Sequence, residues 1–102
     1  MEIKELCDLL EIKNTDNKKI EVELTNKLAP IIIRFNADFP TASLFAKEGG
    51  RSERELKYLE QKGLVYFHRN SDKGSNVGAG NLYKLTEKGI EVYKAYEAFA
   101  KN

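Results

Sequence analysis

A chain of 102 residues with 41% hydrophobic and 32% charged side chains has material for one core under a well-solvated surface. Its lone cysteine excludes an intrachain disulfide, and no apolar run reaches the roughly 18 residues of a membrane-spanning helix. The formal charge of +1 conceals a gradient: residues 1–29 carry five lysines against seven acids, residues 30–85 nine cations against six acids, and residues 86–102 three of each.

The positive middle section suits a polyanion and suits plain solvent about equally well. The start, Met1-Glu2-Ile3-Lys4-Glu5, mixes charges where a secretory signal is basic and then continuously apolar, so a cytoplasmic location is expected.

In chain order, Ile3, Leu6, Cys7 and Leu10 fall at i, i+3, i+4 and i+7 and predict a short amphipathic helix over residues 2–12. Residues 13–19, KNTDNKK, hold no apolar side chain and are expected to form a linker or turn. Ile20, Val22 and Leu24 alternate, which fits either a short strand or the lead-in to a helix. Leu24, Leu28, Ile31 and Phe35 keep one helical face for three turns. Pro30 within that run predicts either a late helix start near Leu28 or a bend there. The tract NADFP stops the helix, and Thr41 is a suitable N-cap for a further short helix over residues 41–49, closed by Gly49-Gly50.

The periodicity of residues 51–62 predicts a helix that buries Ser52, Leu56 and Leu59 and ends at Gly63. Two apolar-rich runs, residues 64–67 and 82–85, then predict strands on either side of a long polar, glycine-containing loop. Thr86 is placed to cap a final helix. Two helices joined by a glycine turn, followed by a hairpin, predict a mainly α fold with a small β-hairpin (α+β): a helix-turn-helix with a wing.

Three segments carry a family resemblance. LFAKEGG (44–50), LKYLEQKGLV (56–65) and YKLTEKG (83–89) resemble, in this order, the second helix and its turn, the recognition helix entering the wing, and the wing entering the last helix of winged helix-turn-helix regulators. The pattern is most similar to the small bacterial multiple-antibiotic-resistance (MarR) and phenolic-acid-decarboxylase (PadR) types. The resemblance implies a single winged-helix domain over residues 1–102, with an N-terminal helix and linker (1–23), a core (24–85) and a C-terminal helix (86–102). It also implies a DNA-binding transcriptional regulator in which residues 51–62 enter the major groove and residues 68–81 follow the backbone.

The residue types fit that role. Opposite the buried side of the 51–62 helix, the outward stripe holds Arg51, Arg54, Lys57, Tyr58 and Gln61. An arginine fork matches guanine O6 and N7 in the major groove, while Lys57 and Tyr58 suit phosphates. Glu53 counts against the stripe, because it repels phosphate. In the wing, His68, Arg69, Lys73 and Asn76 offer backbone contacts, and the loop glycines let the tip adapt. A nucleotide-cradling loop is the less expected reading, since no Lys-Ser/Thr ending and helix follow the glycines.

The single His68 and single Cys7 form no metal set, no catalytic pair is visible, and neither an enzyme nor a cofactor is expected. On the last helix, Ile90 and Tyr93 lie on one line and Val92, Tyr96 and Phe99 on another. This is more apolar surface than one small domain needs, and a homodimer is expected to cover it, unless the N-terminal helix does so within the chain. Double-stranded DNA is the expected partner, no membrane is involved, and no residue marks a small-molecule effector site. The reading from a different class is a winged-helix protein–protein interaction module that binds no DNA.

Overall fold

The computed structural model describes residues 1–13, 15–71 and 79–101. Lys73 and Asn76 lie outside them. Among the described residues the order is α1 (Ile3–Leu9), α2 (Asn17–Lys27), α3 (Ala29–Asn36), β1 (Leu44–Lys47), α4 (Arg51–Gln61), β2 (Val65–Ser71), β3 (Gly80–Leu85) and α5 (Glu87–Ala100). The result is a mainly helical α+β fold with one antiparallel sheet in the order β1-β3-β2, an arrangement compatible with a winged helix. No described helix is long and apolar enough to cross a membrane.

Local signals explain most boundaries. The first turn of α1 is closed by a reciprocal box between Glu2 and Glu5. The helix ends where Glu11 takes a left-handed φ of 58° and the Ile12 N–H donates back to the Cys7 carbonyl at 2.8 Å. Asp16 caps α2 by accepting from the Lys19 N–H at 3.0 Å. The alternation of Ile20, Val22 and Leu24 therefore belongs to a helix. Pro30 stands in the first turn of α3, where its missing donor costs nothing, and the axis breaks at Leu28. The stripe Leu24, Leu28, Ile31 survives the break with all three side chains fully buried.

One expected element is corrected. Residues 41–49 do not form a helix; Leu44–Lys47 is a strand, paired with β3 in the register Leu44↔Tyr83, Phe45↔Leu82, Ala46↔Asn81, Lys47↔Gly80. Leu44 and Ala46 are buried while Lys47 is exposed, a period of two over too few residues to be distinguished from one helical turn. Pairing with β3 supplies the backbone partners that a helix would have supplied. The element before α4 is thus a strand, and the Gly49-Gly50 turn joins strand to helix, with Gly49 at φ 75°.

The core runs between α1, α2, α3 and α5 on one side and α4 and the sheet on the other. Leu56 and Leu59 of α4 are at most 1% exposed, each worth about 1.5–3 kcal/mol of burial. Thr86 holds the last helix against the end of α4: its hydroxyl donates to the Gly63 carbonyl at 2.6 Å and accepts from the Gly89 N–H at 3.0 Å.

A second expectation is corrected here. Val92 and Tyr93, assigned above to a dimer interface, are core residues at 0% and 8% exposure. Helices α1, α2 and α3 all pack on α5, and the Phe35 and Tyr93 rings stack at 3.9 Å with their planes 3° apart. One residue of each apolar line of α5 is therefore covered within the chain. Ile90, Tyr96 and Phe99 remain half-buried.

Candidate nucleic-acid interface

The start of α4 is organised by its own side chains. Gly50 at the N-cap has no side chain to offer, and the free donors of the preceding turn find two α4 residues instead. Ser52 Oγ accepts from the Lys47 N–H at 3.3 Å, and Glu53 Oε1 accepts from the Gly49 N–H at 3.4 Å. Glu53 is consequently drawn inward, its side chain only 17% exposed, with Lys57 Nζ 3.8 Å from the same oxygen. A carboxylate in the first turn also suits the positive end of the helix. The residue that counted most against a phosphate-facing stripe thus stabilises the helix that presents it.

Arg51, Arg54, Lys57 and Gln61 are all exposed on α4. Arg51 Nε lies 3.9 Å from Glu55 Oε2, a long, loose pair like that of Lys57 with Glu53. Among the described residues, Arg54 forms no ion pair. Both paired cations are themselves exposed and their pairs are long, and exposed pairs contribute about 0–1 kcal/mol, so Arg51 and Lys57 stay open to another anion.

Tyr58 does not join this stripe. It is half-buried, its hydroxyl donating to the Leu10 carbonyl at 3.0 Å. Lys27 Nζ donates to the same carbonyl at 2.6 Å and lies 5.3 Å from the Tyr58 ring centre, with Lys62 Nζ 5.5 Å away. Lys62 in turn pairs with Glu11. The end of α1 covers this flank of α4, a long-range packing that local periodicity does not reveal. The outward stripe is narrower than expected and wholly polar.

In the hairpin, β2 and β3 pair in the register Val65↔Leu85, Tyr66↔Lys84, Phe67↔Tyr83, and resume at Arg69↔Leu82. His68 is therefore the extra residue of a β-bulge. His68 and Arg69 are exposed, and Arg69 shares a sheet face with Leu82. The cleft between the first turn of α4 and the hairpin is lined by Glu48, Glu53, Asn70, Ser71, Ala79, Gly80 and Asn81, a mostly polar set whose only charges among the described residues are negative. No group of three or more metal-ligating His, Cys, Asp or Glu side chains exists among the described residues.

Two basic residues went unnoticed in the sequence as candidates for anion contact. Lys47 falls within the helix expected over residues 41–49, and Lys84 reads as one polar position of a strand. Both lie on the sheet face turned away from the core, and only the register shows this. No family model, no curated protein and no solved structure matches this chain.

Proposed function

We propose that this chain is a winged-helix DNA-binding regulator of transcription that reads duplex DNA with the outward face of α4 and holds the backbone with its hairpin. The supporting observation is that Arg51, Arg54, Lys57 and Gln61 stay uncovered by the rest of the chain. Arg54, with no acidic partner among the described residues, is the residue for a guanine edge. Arg51 and Lys57 hold phosphates on either side of it, and Arg69 adds a contact from the hairpin. The chain acts by binding and carries out no chemistry of its own.

The homodimer stays in the proposal only through Ile90, Tyr96 and Phe99, since Val92 and Tyr93 are committed to the core. A two-fold pair would set two α4 helices about 34 Å apart, on successive major-groove turns.

The test is duplex selection from a random pool, followed by affinity against salt, with native mass measured on the same sample. The proposal expects an enriched sequence and an affinity that falls steeply between about 50 and 200 mM salt. Absence of duplex binding at the lower salt overturns it. One observation favours the protein-interaction reading: Glu48 and Glu53 line the cleft beside α4, where a phosphate would approach. In that case the stripe would bind a partner carrying both signs of charge.

A further inference from the structure

Helix α4 packs on the side of the sheet that carries Leu44, Ala46, Val65 and Tyr83. Alternation along the strands puts another set on the opposite side. The register arranges that set in three successive rows: Tyr66 beside Lys84, then Arg69 beside Leu82 and Phe45, then Ser71 beside Gly80 and Lys47. Each row contains one cation, and none contains an acid. The rows succeed one another at the two-residue repeat of a strand, about 6.5–7 Å.

The apolar part of this face consists of Tyr66, Leu82 and Phe45. Tyr66 is 45% exposed. The Phe45 ring lies over Gly80, where an added Cβ would stand 2.7 Å from a ring carbon. Glu48, the acid nearest to Lys47 in sequence, lines with Glu53 of α4 a cleft that Ser71 and Gly80 of the third row also border.

We propose that this open face of the sheet binds single-stranded nucleic acid, with Tyr66 stacking on a base and Lys84, Arg69 and Lys47 following the phosphates. The occupant follows from the combination of groups. Cations spaced along the strands call for a regularly spaced polyanion, and an exposed aromatic ring at the end of their series calls for a flat partner. A duplex offers no free base face to Tyr66. A second copy of this face would bring three cations against three cations. An acidic peptide would satisfy the charges and leave the ring without a role. The proposal goes beyond the duplex reading and does not rest on it.

The experiment is fluorescence anisotropy with a labelled oligothymidine, which cannot pair with itself, alongside the duplex selected above and a labelled polyglutamate. The parent chain, Tyr66→Phe, Tyr66→Leu, Lys84→Gln and Arg54→Ala are compared. Oligothymidine binding is expected for the parent and for Tyr66→Phe. Tyr66→Leu should weaken it about fivefold or more, the lower end of one lost base stack. Lys84→Gln should weaken it and flatten its salt dependence. Arg54→Ala should lower duplex affinity alone.

Tyr66 is exposed, so its substitutions leave the core intact, and circular dichroism of each variant checks this. Lack of oligothymidine binding at about 50 mM salt, or equal binding by the parent and Tyr66→Leu, overturns the proposal. So does polyglutamate binding as tight as oligothymidine and insensitive to Tyr66→Leu. Loss of duplex binding with retained oligothymidine binding would remove the regulator reading and leave this one standing.

Discussion

The hydroxyl of Tyr58 donates to the carbonyl oxygen of Leu10 at 3.0 Å, joining the middle of α4 to the end of α1 across 48 positions of the chain. The acceptor keeps Lys27 as a second donor, so Tyr58→Phe leaves no orphaned carbonyl. The expected loss is about 0.5–1.5 kcal/mol, the net worth of one such hydrogen bond, measured as a lower urea midpoint. Because this hydroxyl faces α1, the same variant should bind DNA as the parent does.

Arg54→Ala should behave in the opposite way. The residue is exposed and forms no ion pair among those described, so thermal stability should change by less than about 0.5 kcal/mol. Duplex affinity should fall by about 1–3 kcal/mol, with relaxed preference at one base pair. Equal loss on all sequences would move Arg54 from base reading to phosphate binding.

This contrast marks the limit of what one helix's periodicity reveals. Residues 51–61 were legible as a helix with Leu56 and Leu59 inward and Arg51, Arg54 and Lys57 outward, because sheet packing covers only one side of α4. Tyr58 was misplaced because α1, more than forty residues earlier, covers the neighbouring flank. The helix expected over residues 41–49 failed for a related reason. Leu44-Phe45-Ala46 is short enough to satisfy either repeat, and its strand partner lies beyond residue 79. The caps at Thr86 and Gly63 and the break at Pro30 were readable because each acts within one turn of chain.

Gly89 should tolerate no side chain. A Cβ there would stand 2.1 Å from the Leu64 carbonyl oxygen, a backbone atom fixed by its hydrogen bond from the Thr86 N–H at 3.0 Å. Gly89→Ala gains helix propensity and still should destabilise by about 1–3 kcal/mol, the usual cost of overpacking. Denaturant unfolding checks the sign. A stabilised variant would show that α5 can shift away from residues 63–64 without loss.

The Glu11–Lys62 pair gives a pH dependence with two limbs. The Lys62 hydrogen bond and charge hold the Glu11 carboxyl below its ordinary value. Its contribution is present above the unfolded-state value and is lost as acid is added through the folded one. The Glu11 hydrogen bond holds the Lys62 ammonium above its ordinary value. That contribution is complete below the unfolded-state value and disappears as pH rises through the folded one. Glu11→Gln should therefore lower stability at neutral pH and leave a shallower acid limb, in denaturation curves recorded from acid to alkaline pH.

Burial, then the nearby Asp8 and Glu23, push the Cys7 thiol above its ordinary value. It is 1% exposed, so the reactive thiolate is scarce and shielded. Alkylation at neutral pH should be slow in the native chain and fast in urea. Rapid native labelling would mean that α1 detaches readily from α5.

The extra residue at His68 affects how copies of this chain meet. Strand β2 lies at the sheet's margin, with no further strand beside it among the described residues, and such edges invite neighbouring molecules to add strand upon strand. The bulge breaks the edge's even spacing and increases its twist midway, and charged Arg69 follows at once. At high concentration this margin is thereby a poorer template for fibril growth.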